Sequence, residues 1–118
     1  NGRFDVVAKD GGKVAYTYNQ GLLDYDCYGV PKDAPNKALA MKFLAEISKP
    51  PYQAEFTKYI TYGPTNKKAY DLGTIDAAYA KKLPSHPDNV SKQIAINLEW
   101  YIKNEARAAE LYQNMLTE

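Results

Sequence analysis

Apolar and polar residues alternate along two short stretches near the start of the chain. Residues 4–8 form a β-prone run that stops at Asp10-Gly11-Gly12, a sequence that favours a tight turn because glycine accepts positive φ. Residues 13–18 follow, and their small or polar members alternate with Val14, Tyr16 and Tyr18. The two stretches predict a β-hairpin. A third extended run, residues 22–30, ends at Pro31 because proline cannot donate to a strand ladder.

Beyond Pro31 the apolar residues recur at helical spacing, and Asn36, Asn66 and Thr74 stand where N-caps are expected. The predicted helices cover residues 37–49, 50–59, 67–72, 75–83 and 98–116. Residues 91–115 are ambiguous, since Ile94-Ala95-Ile96 fits a short strand and the whole stretch also fits a helix. We favour a break near Asn97. The pattern therefore predicts a few N-terminal strands followed mostly by helices.

The composition is that of a soluble globular protein. The chain has 118 residues, 45% hydrophobic and 25% charged, and no apolar run approaches the roughly 20 residues that a membrane span needs. Its net charge of +1, with the lysines dispersed, argues against binding of nucleic acid. Cys27 is the only cysteine, so no internal disulfide can form, and we expect it to be buried in a strand.

The stretch that carries the most chemistry is Asp24-Tyr25-Asp26, with Tyr18 a few residues upstream. On a strand the two carboxylates point to the same face, and paired like charges favour a cation between them. Tyrosine rings attract an ammonium group by cation–π interaction, worth roughly 0.5 to 2 kcal/mol. These residues predict an amine site. Two simpler interpretations stay open, because carboxylates protect edge strands from aggregation and strand tyrosines commonly pack in cores.

Other reaction chemistry finds little support in the sequence. No nucleophile, base and orienting group occur together, and Gly11-Gly12 lacks the lysine and hydroxyl residue of a phosphate-binding loop. His86 is the only histidine, so a zinc-type metal site is not expected. We therefore expect no enzyme activity, no catalytic residue and no cofactor.

Several stretches, in this order and at this spacing, resemble those of one protein family. They are Tyr18-Asn19-Gln20 with Asp24-Tyr25-Asp26, residues 30–37 with 40–44, residues 62–69, Leu83-Pro84 with Lys92-Gln93, and Glu99-Trp100-Tyr101 with Asn104. The chain resembles the C-terminal part of a periplasmic substrate-binding protein of a bacterial ABC transporter. Within the family 1 extracellular solute-binding proteins, the similarity is to the spermidine/putrescine-binding branch.

The resemblance implies an α/β protein of the type II periplasmic-binding-protein fold, with the solute held between two lobes. Residues 1–23 would belong to the second lobe, residues 24–65 to the first lobe, and residues 66–118 would return to the second as C-terminal helices. Hinge crossings would lie near residues 24 and 65. Because such proteins are several-fold longer, and because the chain begins at Asn1 without a methionine, we expect it to be a fragment.

The resemblance also implies a function and a site. Relatives of known specificity hold an amine of the polyamine with an aspartate, and Asp26 falls on that position. Asp24 falls where those relatives have an aromatic residue, a departure that implies a second charge contact or a different small amine or amino acid. Tyr25 and Tyr18 would supply the aromatic surface. The expected partners are a small cationic solute, such as putrescine or spermidine, and a membrane permease, in the periplasm.

A second hypothesis treats the 118-residue chain as a structural unit only. A chain that contributes to two lobes leaves apolar faces uncovered, and such faces drive dimerisation or domain swapping.

Overall fold

The computed structural model describes residues 1–117, which are mostly helical with two short strands. The helices and strands follow one another in this order: α1 (Gly2–Lys9), β1 (Leu22–Leu23), α2 (Lys37–Ile47), α3 (Pro50–Phe56), a 3-10 helix (Lys67–Leu72), α4 (Ala77–Ala80), α5 (Pro87–Val90), β2 (Ile94–Ala95) and α6 (Leu98–Thr117). The prediction of a mainly helical chain after residue 36 is confirmed.

The predicted N-terminal hairpin is wrong. Residues 4–8 lie within helix α1, and residues 13–18 form no strand ladder with any other described residue. A short apolar run fits either a strand or a helix, and side-chain contacts select the helix here. Asp5 forms an ion pair with Lys9 one turn along the helix at 2.9 Å, and it accepts a hydrogen bond from the hydroxyl of Thr61 at 2.5 Å.

The two strands pair in parallel, Leu22 opposite Ile94 and Leu23 opposite Ala95. The Ile94 amide donates to the Gly21 carbonyl at 2.9 Å, and the Ile96 amide donates to the Leu23 carbonyl at 3.0 Å. The expectation of a short strand at residues 94–96 and a break before the last helix is confirmed. The strand expected over residues 22–30 is much shorter, because only Leu22–Leu23 finds a partner strand.

Sequence-encoded caps set some of the helix boundaries, although the predicted cap Asn36 makes no side-chain capping hydrogen bond at the start of α2. The Asn66 side chain accepts a hydrogen bond from the Lys68 amide, and Gly73 ends the 3-10 helix at φ 70°, a left-handed conformation that glycine adopts without steric cost. Asp76, rather than the predicted Thr74, caps α4 by accepting from the amides of Ala78 and Tyr79. A carboxylate one residue before the first turn is a strong N-cap acceptor, so the helix begins later than expected.

The core lies where α3, the 3-10 helix and α4 meet. Its buried apolar side chains belong to Ala54, Ala69, Ile75, Ala80 and Leu83. Tyr79 packs against this cluster, and its hydroxyl donates to the Thr57 carbonyl at 2.7 Å. The core is small, and by contrast no residue of α2 or α6 is buried. Apolar side chains of both helices, such as Phe43 and Leu111, are therefore exposed.

Candidate functional site

The Asp24-Tyr25-Asp26 segment begins immediately after β1. The pairing of β1 with β2 therefore fixes the position of the main chain at the start of the segment. The Gln20 amide donates to the Lys92 carbonyl at 2.8 Å, just before β1 joins β2. All three residues of the segment are exposed, and Tyr25 keeps 60% of its accessible surface. The described structure thus presents both carboxylates and the ring to solvent, next to an anchored pair of strands.

The two carboxylates differ in their contacts. Asp24 Oδ1 accepts a hydrogen bond from the Tyr25 amide at 2.8 Å, so this carboxylate is partly engaged with its own main chain. Asp26 makes no side-chain hydrogen bond or ion pair with any residue in 1–117. Because β1 ends at Leu23, the strand argument that placed Asp24 and Asp26 on one face does not apply. Of the two, Asp26 has the carboxylate free for an external cation.

Tyr18 is held in a structural contact. Its hydroxyl donates to the Lys82 carbonyl at 2.8 Å, and its ring lies edge-on to Tyr16 with the centroids 5.6 Å apart. Burial, followed by the contact with Tyr16, raises the pKa of the Tyr18 phenol well above its ordinary value, so the group stays neutral. What Tyr18 can offer a solute is therefore its ring, since its hydroxyl is already engaged.

The structure forms a concave surface away from the Asp24-Tyr25-Asp26 segment, and the sequence analysis did not predict it. An open groove of about 450 Å³ lies between α1, residues 14–18 and the loops around α5. Its lining combines aromatic rings with lysines, and it includes Phe4, Tyr16, Tyr18, Lys81, Lys82 and Lys92. Residues more than 60 positions apart meet there, and no local motif signals such a contact. The only signal in the sequence was the aromatic face of residues 13–18.

Cys27 is exposed, which corrects the expectation that it is buried, because β1 ends four residues before it. His86 is half-buried and caps α5, its Nδ1 accepting from the Asp88 amide at 3.3 Å. Within residues 1–117, no three His, Cys, Asp or Glu side chains cluster closely enough to hold a metal ion. No described helix combines the length and apolarity needed to cross a membrane.

Three solved structures similar to this chain are bacterial substrate-binding or periplasmic binding proteins. An ABC transporter substrate-binding protein from Bradyrhizobium japonicum USDA 110 matches with a TM-score of 0.79 and 37% identity, over 100% of this chain and 37% of that one. AgtB of A. tumefaciens R10, in complex with agropinic acid, matches with a TM-score of 0.80 and 35% identity. The match covers 99% of this chain and 36% of AgtB. MotA of A. tumefaciens B6, in complex with glucopine, matches with a TM-score of 0.84 and 35% identity. The match covers 96% of this chain and 35% of MotA. The fold is thus that of part of a periplasmic binding protein.

The sequence comparisons agree with this class. Residues 1–85, which include Asp24 and Asp26, match the model of the bacterial extracellular solute-binding proteins. The chain belongs to this family. The gamma-aminobutyric acid-binding protein of Pseudomonas aeruginosa PAO1 is 35% identical over 102 residues, which are 86% of this chain and 28% of that protein. The chain therefore spans little more than a quarter of the length of this curated relative.

Family membership confirms two expectations drawn from the resemblance. The family consists of solute-binding proteins, which are not enzymes, and its extracellular description agrees with a periplasmic location. None of the named relatives is described as a polyamine-binding protein. The choice among solutes therefore depends on the residues of the site.

Proposed function

We propose that this chain is part of the solute-binding component of an ABC importer, and that it contributes Asp26 as the anion that holds an ammonium group of a small solute. The single observation that supports this role is the carboxylate of Asp26, which is exposed and without an internal partner directly after the anchored strand β1. A membrane permease would receive the loaded receptor. Tyr25 and the ring of Tyr18 would supply aromatic surface to the solute.

The division of the chain between two lobes is part of the same proposal. Residues 1–23 and 66–118 would belong to the second lobe and residues 24–65 to the first, with crossings near residues 24 and 65. The end of β1 at Leu23 supports the first crossing, because paired main chain stops there and exposed, irregular chain begins. A carboxylate at a crossing point lies between the lobes, where closure can remove it from water and strengthen its contact with a cation.

Two kinds of solute satisfy this chemistry. A polyamine such as putrescine or spermidine carries several ammonium groups, and the pair Asp24 and Asp26 could contact two of them. An amino acid such as γ-aminobutyrate carries one ammonium group and one carboxylate, and similarity to a γ-aminobutyrate-binding relative favours it. In both cases Asp26 holds an ammonium group, so one set of variants tests the site for either solute.

The test is calorimetric titration of the full-length receptor with γ-aminobutyrate, putrescine and spermidine. Asp26→Asn should weaken binding of the cognate solute by about 30-fold or more, because truncation of one member of a close charge pair costs at least about 2 kcal/mol. Asp33→Asn is the matched control, since Asp33 is exposed in the turn that follows the same segment. Unchanged affinity in Asp26→Asn would contradict the site, and absence of binding to all three solutes would contradict the solute class.

A second candidate function, as a self-associating structural unit, is favoured by one observation on the 118-residue chain alone. Large apolar side chains on α2 and α6 are exposed, including Phe43, Trp100, Leu111 and Met115. Exposed apolar faces of this kind drive dimerisation or swapping. Sedimentation of the isolated chain would test this role, and a strictly monomeric species that unfolds cooperatively would contradict it.

A further inference from the structure

The ring of His86, the only histidine of the chain, serves as the N-cap of α5. Its Nδ1 atom accepts a hydrogen bond from the Asp88 amide at 3.3 Å, so this nitrogen carries no proton in the structure. A neutral imidazole has one nitrogen that accepts and one that donates, whereas a protonated imidazole has two donors and no acceptor. The side-chain contact that begins α5 therefore depends on the charge of the ring.

The Asp88 amide is the one donor of this helix start that relies on the ring. Pro87 occupies the first helical position and has no amide to satisfy. The amides of Asn89 and Val90 both donate to the main-chain carbonyl of His86 at 2.9 Å. Within residues 1–117, the Asp88 amide finds its only hydrogen-bond acceptor in the imidazole. Loss of that acceptor would leave this amide to solvent.

Two titratable side chains of the described residues face the His86 ring, one from each element packed against it. Asp88 of α5 places its Oδ2 atom 3.7 Å from Nδ1, and the Tyr70 ring of the 3-10 helix lies edge-on with the ring centroids 5.9 Å apart. The Tyr70 hydroxyl is hydrogen-bonded to that of Ser85, and burial raises the pKa of the phenol, so it stays neutral where histidine titrates. Asp88 therefore supplies the charge that faces the ring.

We infer that His86 is a pH-dependent cap whose Nδ1 atom exchanges one partner for another within the same residue, Asp88. In the neutral ring, Nδ1 accepts from the Asp88 amide. After the ring takes a proton from solvent, the same nitrogen donates to the Asp88 carboxylate, and the amide loses its acceptor. The carboxylate is only 3.7 Å away, so a small rotation of the Asp88 side chain brings it within hydrogen-bond distance.

The cap stands at the start of a segment that other contacts hold in place. The Asn89 side chain donates to the carbonyls of Lys81 and Leu83, and the Lys92 carbonyl, two residues after α5, accepts from the Gln20 amide. Release of the cap should therefore loosen the first turn of α5 without unfolding the segment. The chain belongs to a family of extracellular proteins, which experience the pH of their surroundings, and histidine ordinarily titrates between about pH 5 and pH 8.

The test is nuclear magnetic resonance of the full-length receptor at about pH 7.5 and about pH 5, on either side of the range in which histidine titrates. At the higher pH, the nitrogen shifts of the His86 ring should show the tautomer with its proton on Nε2. At the lower pH, the protection factor of the Asp88 amide, corrected for intrinsic exchange, should be about 5-fold smaller, the size of effect expected for loss of an N-cap.

His86→Asn is the matched variant, because asparagine is among the best N-cap residues and does not titrate. Its Asp88 amide should have the same protection factor at both pH values. A proton on Nδ1 at about pH 7.5, a protection factor in the unsubstituted receptor that does not change with pH, or an equal decrease in His86→Asn would each overturn the inference. The tautomer is measured in the unsubstituted receptor, so it decides the question even if the variant folds poorly. None of these measurements depends on a solute, so they are independent of the proposed function.

Discussion

The carboxylate of Asp5 accepts a hydrogen bond of 2.5 Å from the hydroxyl of Thr61, which is almost fully buried. This contact joins α1 to the chain that follows α3, 56 residues away. Asn1 adds a second link by donating from its side chain to the Thr61 carbonyl. The hydrogen bond from Thr61, followed by that from Lys9, lowers the pKa of the Asp5 carboxyl below its ordinary value.

Asp5→Asn should lower the free energy of unfolding of the chain by about 1 kcal/mol at neutral pH, a value reduced for the partial solvent exposure of the carboxylate. Because the folded pKa of Asp5 is lowered, its contribution is present above the unfolded pKa, about 3.9, and is lost as the pH falls through the folded value. Urea denaturation between pH 2 and pH 7 measures both effects. Below about pH 4, the free energy of unfolding should fall less steeply in Asp5→Asn than in the unsubstituted chain.

Asp10→Asn is the control for this prediction, since Asp10 follows the same helix and is exposed. The free energy of unfolding of Asp10→Asn at neutral pH should match that of the unsubstituted chain. An equal loss in the two variants would mean that the contact with Thr61 contributes nothing specific.

Gly63→Ala should destabilise the chain because the main chain of Ser85 approaches Gly63 closely. A Cβ atom at residue 63 would clash with Ser85 Oγ and would lie 2.7 Å from the Ser85 amide nitrogen. Rotation of the side chain removes only the first clash, so the main chain must shift, at a cost of about 1 to 3 kcal/mol. Gly29→Ala, where a Cβ meets nothing within 4 Å, should leave the denaturation midpoint unchanged.

Asn89→Ala should be among the more damaging polar substitutions. The buried side chain of Asn89 donates to the carbonyls of Lys81 at 2.8 Å and Leu83 at 2.9 Å, and so holds the turn between α4 and α5. Its loss removes both hydrogen bonds, although the Leu83 carbonyl still accepts from the His86 amide, and it should cost about 1 to 2 kcal/mol in the free energy of unfolding. Asn114→Ala, on the exposed surface of α6, is the comparison. Similar losses for both would contradict a specific role for Asn89.

Leu83→Ala tests the position of the core. Leu83 is fully buried among small residues, and its truncation should cost about 2 to 5 kcal/mol because the surrounding side chains cannot fill the cavity. Leu39→Ala removes the same atoms from α2, where Leu39 is 66% exposed, and should change the free energy of unfolding of the isolated chain by less than about 0.5 kcal/mol. Denaturant midpoints of the two variants give the comparison directly.

The sequence predicts the helices that carry their own start and stop signals. Asn66 and Gly73 mark the two ends of the 3-10 helix, and the apolar spacing of α2 and α6 is strong enough to locate both. Helix α1 is missed because its short apolar run is ambiguous and the contact that selects the helix comes from Thr61, far along the chain. The groove is missed for the same reason, since it brings Tyr18 against Lys82.

The candidate site is predictable only in part. The acidic and aromatic residues of Asp24-Tyr25-Asp26 predict an amine site from the sequence. In the structure all three are exposed and follow β1, which is paired with β2. The alternation argument for a shared face fails because β1 ends at Leu23, at the point where β2 stops pairing with it. Which carboxylate is free is a matter of local main-chain hydrogen bonding, and residue type alone does not specify that.

Asp24→Asn should distinguish the two proposed kinds of solute by the sign of its effect. If the solute is putrescine or spermidine, Asp24 attracts a second ammonium group, and its neutralisation should weaken binding by several-fold, because the carboxylate is exposed and screened. If the solute is γ-aminobutyrate, Asp24 repels the carboxylate of the solute, and the same substitution should leave binding unchanged or strengthen it. Calorimetric titration of the full-length receptor with both solutes measures this sign. Asp26→Asn should weaken binding in either case, so equal losses for Asp24→Asn and Asp26→Asn with γ-aminobutyrate would contradict the assignment of the two carboxylates.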